Sequence, residues 1–412
     1  MPRRPAVAFV LVTLFLDVLG VGLIIPILPR LIEELSGGDL SSASHSFGLL
    51  VALYSLMQFV CAPILGSLSD RFGRRPVILV SLLGSGLDYL MLAWAPSLPW
   101  FFLGRAVSGI TGASITAASA YIADVTPPEK RAQNFGLIGA TFGLGFIAGP
   151  ALGGVLGDLG LRLPFLVAAG MTLINWLYGL WVLPESLKPG NRREFSWGRS
   201  NPVGALLSLR RYPVVFGLSF MFFLLHVAQT SLHSTWVLYT GHRYGWTVGQ
   251  TGLSLAVVGA SAMIVQGGLV RRIIPRIGEA RGIILGLSIN ALAMTGYGLA
   301  TRGWMIYAIL ACGALGGIAG PAAQGLISRR VQANEQGSVQ GALSSLASVA
   351  GIVGPPVATA LFGYFVREDA RIHLPGAPFF MASILVLTAL AVAGRVLQDD
   401  LTLARASSRP TP

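Results

Sequence analysis

Charge is scarce in this sequence. Only 11% of its 412 residues are Asp, Glu, Lys or Arg, and just 17 are acidic. A soluble globular chain carries roughly a quarter charged residues, so a soluble fold is excluded. Cysteine is almost absent as well: Cys61 and Cys312 both fall inside apolar runs and suggest neither a disulfide nor a metal site. A phosphate-binding Gly-x-x-x-x-Gly-Lys loop is missing, which removes direct drive by a nucleoside triphosphate through that motif. No nucleophile stands beside a base, and no set of metal ligands is visible, so the sequence gives no reason to expect an enzyme.

What is abundant is apolar sequence. Hydrophobic residues make up 53% of the chain and the mean hydropathy is +0.69. Runs of about 20 apolar residues, the length needed to span the hydrocarbon as a helix, recur twelve times. The expected fold is therefore an all-α polytopic membrane protein with the lipid bilayer as its environment. The first run, from Ala6, lacks a small-residue cleavage pattern and reads as a retained helix. The net charge of +12 does not point to nucleic acid, because the basic residues alternate by loop: 22 of 29 lie on one side and six on the other. That asymmetry follows the positive-inside rule and places both termini in the cytoplasm of a bacterial-type inner membrane.

The two halves of the chain repeat at an offset of 205 residues. Gly73 maps to Gly278, Gly112 to Gly317, Ile122 to Ile327, Gly136 to Gly341, and Gly149-Pro150 to Gly354-Pro355. The expected organisation is a six-helix bundle over 1–184, a charged cytoplasmic linker over 185–212, a second bundle over 213–398 and a cytoplasmic tail over 399–412. Two same-orientation halves suit a carrier that rocks around a site between them. Within the first half, helix 2 is expected over about 46–68 after a polar loop, and helix 5 carries GLGFIAGPALGGVLG, Gly143 to Gly157. Gly145, Gly149 and Gly153 fall one turn apart and form a smooth face for a close neighbour, and Gly153 and Gly154, which have Ala358 and Thr359 at their repeat positions, are expected to pack on helix 8 of the other half.

The loop after helix 2 reads GSLSDRFGRRP, with Gly66, Asp70, Arg71, Gly73, Arg74 and Arg75 in tight spacing. Gly66 and Gly73 are expected to give clearance, and Asp70 with an arginine to form ion pairs that break as an inner gate opens. Here the chain resembles the major facilitator superfamily, whose loop motif G-x-x-x-D-R-x-G-R-R is matched at each of these positions. The resemblance implies two pseudo-symmetric six-helix bundles and a pairing of Arg74 with Asp124 at the inner end of helix 4.

Helix 4 holds Arg105 in GRAVSGITGAS, at a cost of roughly 2.5 to 3.5 kcal/mol or more unless it is paired or hydrated. Asp17 in helix 1 and Asp88 in helix 3 are the only acids well inside the first six helices. Asp17 is the favoured partner because helices 1 and 4 face each other in the superfamily; Asp88 is expected nearer the outer surface. GFIAGPALGG, with Gly145, Gly149, Pro150, Gly153 and Gly154, resembles the antiporter motif of the superfamily's exporters. LDVLGVGLIIPILP, LDYLMLAWAP and ATRGW resemble the tetracycline efflux pumps and related drug-proton antiporters. The resemblance implies functional roles for Asp17, Asp70, Asp88 and Arg105 and an exchange of drug for protons, with the proton motive force and no cofactor as the driver.

The second half departs from that pattern. Asn290 stands where the tetracycline pumps carry an acid in helix 9, and helix 8 has no histidine. Helix 7 instead offers His226, Gln229, Thr230 and His233 on one face, and His226 or His233 is a candidate for the missing proton carrier. The cavity is expected to be lined by Asp17, Tyr54, Gln58, Phe222, His226, Gln229, His233, Asn290 and Gln324, with Trp236 either an interfacial anchor or a stacking platform. The function expected is proton-coupled efflux of an amphipathic, tetracycline-like or multidrug compound by a monomer. A metabolite symporter or sugar exporter of the same fold, or a receptor that has lost transport, are the alternatives.

Overall fold

A computed structural model describes residues 7–112, 114–187, 190, 192, 201–209, 213–331 and 336–407, and among these it contains helices and no strand. Twelve helices are long and apolar enough to cross a membrane. The first six are α1 (Val7–Leu35), α2 (Leu40–Phe72), α3 (Arg74–Trp94), α4 (Leu98–Val125), α5 (Gly136–Leu159) and α6 (Leu163–Val182). The second six are α7 (Val214–Tyr244), α8 (Val248–Ile277), α9 (Glu279–Leu299), α10 (Gly303–Arg329), α11 (Val339–Val366) and α12 (Ala377–Gln398).

Several boundaries differ from expectation for local reasons. The polar stretch expected as a loop is mostly helical, because α1 breaks after Ile24 and resumes over Leu28–Leu35, and Asp39 then caps α2 by accepting from the Ser41 and Ser42 amides. The helix that begins α12 runs on to Ser407, so most of the expected tail is helical. Part of the linker, Pro202–Ser208, forms a short helix; residues 193–200 lie outside the described set. Within the second six, α8 passes through a π-helical stretch, Val265–Leu269, and α10 through a 3-10 stretch, Ala314–Ile318.

By contacts the chain forms two compact units, Met1–Asn201 with Val237–Ala260, and Pro202–Trp236 with Ser261–Pro412. In the first unit α1 packs on α5 and α6, α3 on α4 and α6, and α2 on α4. Phe9, Val10, Leu14, Val77, Ile78, Leu82, Tyr121 and Ile122 make its core at one end, and the buried Tyr121 hydroxyl donates to the Pro184 carbonyl at 3.0 Å. In the second unit α9 packs on α10 and α12, and α11 on α12. The pairings of α9 with α10 and α12 repeat those of α3 with α4 and α6. The repeat extends to backbone detail: Gly73 (φ 111°) and Gly278 (φ 82°) both take the left-handed turn that starts the next helix, a conformation glycine adopts without strain.

Candidate functional site

The first unit gathers its intramembrane charges in one place. Asp88, in the later half of α3, is only 1% exposed, so it is packed among helices rather than snorkelling to the surface. Gly104 on α4 makes this possible, since a Cβ there would press on Asp88 Oδ1 and Leu92. The close approach sets the carboxylate beside Arg105, within coulombic reach. Ser108 also stands near, but its geometry falls short of a hydrogen bond, and both Asp88 oxygens and Arg105 Nε have no partner. The Arg105 guanidinium lies 5.9 Å from the centre of the Tyr54 ring, and the Tyr54 hydroxyl accepts from Gln58 Nε2 at 2.8 Å. Asp17, on α1 and 9% exposed, shares electrostatic contact with the Tyr54 and Tyr89 hydroxyls, as do Asp88 and Arg105.

Asp17, Tyr54, Gln58, Asp88 and Arg105 therefore come together from four helices. Tyr89 joins them although the sequence reading did not single it out; a tyrosine adjacent to a membrane acid was the available signal. Charges inside a membrane helix are expensive and mark function unless they are fully paired. A buried carboxylate with no hydrogen-bond partner is able to exchange a proton without dismantling a structural bond.

The second unit treats its polar residues differently. His226 Nδ1 meets the Phe222 carbonyl at 3.0 Å and the two rings lie 4.0 Å apart. Phe222 is buried, so it supports the imidazole rather than offering a face to substrate. Gln229 is half-buried and His233 exposed, whereas Thr230 turns to α11 and donates to the Ala350 carbonyl at 3.2 Å. The expected four-residue stripe is thus split. Asn290 is corrected more strongly: its amide donates to the Gly316 carbonyl at 3.0 Å, in the 3-10 stretch of α10, and the residue is 7% exposed. It is engaged in joining α9 to α10. Trp236 is buried edge-on against Tyr297 and Phe379, neither an interfacial anchor nor a platform. Gln324 is exposed on α10.

At the loop between α2 and α3, Arg74 bridges two acids, with Asp70 Oδ1 at 2.6 Å and Asp124 Oδ2 at 3.1 Å. Arg75 donates to the Leu180 carbonyl at 2.7 Å, and Arg71 lies 5.1 Å over the Phe72 ring. Glu185, just beyond α6, was missed: its carboxylate accepts from the Arg74 and Arg75 amides at 2.9 and 3.3 Å, and fills the space a side chain at Gly73 would need. An acid at the very start of a basic segment was its signal. Gly66 has open space around it, so clearance does not explain that glycine. The repeat supplies a matching pair in the second unit, because Glu279 and Arg329, the positions 205 residues after Arg74 and Asp124, form an ion pair with the charges exchanged.

The Gly145, Gly149 and Gly153 face of α5 lies on α1, so of the two glycines expected on α8 only Gly154 reaches it. A Cβ at Gly145 would press on Val18, one at Gly149 would come 2.7 Å from the Gly22 Cα, and one at Gly153 would fall on the Leu23 backbone. Gly154 and Gly157, further along, meet α8 at Val248 and Gly249. The copy of the bend, Gly354, packs on α7 at Val227 and Thr230, and Val227 is the repeat position of Gly22. The first unit has glycine on both sides of this contact where the second has it on one.

The profile of the Major Facilitator Superfamily matches residues 10–355 and 273–408. The chain belongs to that superfamily. It is 43% identical over 362 residues, 88% of this chain and 91% of the other, to the class C tetracycline resistance protein of Escherichia coli. Identity to the class B tetracycline resistance protein of Escherichia coli is 37% over 380 residues, covering 91% and 93% of the two chains. Among solved structures it is similar to the human organic anion transporter MFSD10, with a TM-score of 0.71, 25% identity, and 95% and 100% of the chains covered. As a superfamily member the protein is a multi-pass membrane transporter of small molecules, not an enzyme, and it needs no cofactor.

Proposed function

We propose that the protein is an efflux antiporter that expels a drug-like compound of the tetracycline kind in exchange for protons. The observation that carries the reading is the buried, unpartnered Asp88 carboxylate beside Arg105, joined by Asp17, in a chain similar over nearly its full length to tetracycline resistance proteins. In the cycle, substrate arrives from the cytoplasm and binds among Asp17, Tyr54, Gln58 and Arg105. Tyr54 and Gln58 give a flat polar surface, and Arg105 holds a carboxylate or enolate oxygen. Protons entering from outside then neutralise Asp17 and Asp88 and loosen the substrate. His226, on its Phe222 support, and His233 are the second unit's candidates for a proton carrier in place of the acid absent at Asn290.

Both termini lie in the cytoplasm in this proposal, which makes the α2–α3 loop an inner one. Arg74 with Asp70 and Asp124, and Glu279 with Arg329, act as inner clamps that break when the cytoplasmic side opens. The protein works as a monomer. A resistance profile in an efflux-deficient bacterial host tests the reading: expression should raise the tolerated tetracycline concentration, and Asp17→Asn should return it to the host level. Tolerance unchanged by the wild-type chain for every compound tried would overturn the proposal.

A further inference from the structure

Two charged side chains outside the site described above converge on one short turn. The turn joins α7 to α8, and the start of α8 is boxed by reciprocal bonds: the Gln250 amide donates to Thr247 Oγ1 at 3.2 Å, and the Thr247 amide donates to Gln250 Oε1 at 3.1 Å. Asp158, in the last turn of α5, adds a carboxylate. Its Oδ1 accepts from the Gly249 amide at 3.1 Å and its Oδ2 from the Thr247 hydroxyl at 3.4 Å, at the positive end of the α8 dipole. Arg30 comes to the same turn from the end of α1. Its Nη2 donates to the Trp246 carbonyl at 2.9 Å, Glu33 steadies it at 3.5 Å, and its guanidinium occupies the space over Gly241.

Beneath these contacts the backbones touch. Gly154 lies on Gly249, and Gly252 lies on the Pro150 carbonyl. Residues 237–260 accordingly group with the first 201 residues, although the repeat assigns them to the second half of the chain. Loops alternate sides along the chain, so this turn shares a face with the α1–α2 and α5–α6 connections and lies opposite the Gly66–Pro76 loop. The contacts are charged groups on backbone dipoles at an exposed edge, where water can take either partner's place. Such contacts are suited to repeated release in a way that a buried apolar plug is not.

We propose that Arg30 and Asp158 are positioning residues of the transport cycle, a two-point latch that holds the α7–α8 turn closed on the extracytoplasmic face and must let go once per turnover. The proposal rests on the export reading above for its timing, but its test does not. Thr251, 1% exposed and one turn into α8, reports the latch. In a chain carrying Cys61→Ser, Cys312→Ser and Thr251→Cys, labelling by a membrane-impermeant maleimide is followed in intact cells. Adding Arg30→Gln and Asp158→Asn should speed labelling about fivefold, the scale of losing a charge at a helix terminus; an unchanged rate overturns the latch.

A second measurement covers the case of poor assembly. With Asp158→Cys and Thr247→Cys in the chain lacking Cys61 and Cys312, oxidation should abolish whatever export the reduced variant retains, and a reductant should return it to that level. Export that continues in the oxidised, cross-linked protein contradicts the proposal. Failure of the unmodified protein to export any drug would remove the export reading while leaving the labelling result to decide the latch.

Discussion

Asp88 is a buried acid beside Arg105 with no hydrogen bond to either oxygen, an arrangement that costs stability and so has to be explained by use. Replacing it with Asn removes the charge and keeps the shape. Asp88→Asn should therefore leave the melting temperature of the purified protein unchanged or higher, while drug export falls by about tenfold or more, on the scale of losing one acid-base group. A fall in both would mean that Asp88 is structural. Asn290 makes the opposite case. Its amide donates to the Gly316 carbonyl, and an ionised Asp there would set two acceptors against each other. Asn290→Asp, which restores the acid of the tetracycline pumps, should cost about 1–3 kcal/mol of stability and not improve export; thermal unfolding in detergent, with export measured alongside, checks it.

Helices in this protein are placed by what their neighbours lack. The Gly145, Gly149 and Gly153 face of α5 admits the α1 backbone at Gly22 and Leu23, and a side chain at Gly153 has nowhere to go. Gly153→Leu should destabilise the protein by about 1–3 kcal/mol or more and abolish export, whereas Gly170→Ala on α6, where nothing lies within 4 Å, should change neither. Growth on drug and melting in detergent separate the two. The clamps at the helix ends behave otherwise. The Arg329 side chain is 69% exposed, and exposed ion pairs contribute only about 0–1 kcal/mol to stability. Glu279→Arg alone should slow export several-fold with little change in melting, and Glu279→Arg with Arg329→Glu should restore the rate.

Why the twelve spans were readable and parts of the site were not is clear at this level. An apolar run of the right length specifies a membrane helix by itself, and Asp39 or Gly73 then sets where it starts. Contacts between helices depend on residues far apart in the chain. The burial of Asp88 is decided by Gly104 on another helix, and the partner of the glycine face by Gly22. Glu185 meets Arg74 only because α6 ends beside the start of α3. The pairing of Arg74 with Asp124 came from the family resemblance and not from loop spacing, since the two lie far apart in the chain, and it did not reveal that the second unit repeats the pair with reversed sign.

At the scale of the whole molecule, the second unit repeats helix pairings of the first, and the differences between them follow function. The first unit concentrates Asp17, Asp88 and Arg105 in its interior, while the second keeps histidines and amides. In the proposed cycle proton exchange belongs chiefly to the first unit, with the α7 histidines as its complement. The most direct test is drug uptake by inside-out membrane vesicles, in which export appears as accumulation. Wild-type vesicles should accumulate tetracycline on imposing an inside-acid pH gradient and release protons when the drug is added, and vesicles carrying Asp17→Asn should do neither. Full gradient-driven accumulation by Asp17→Asn would contradict the account.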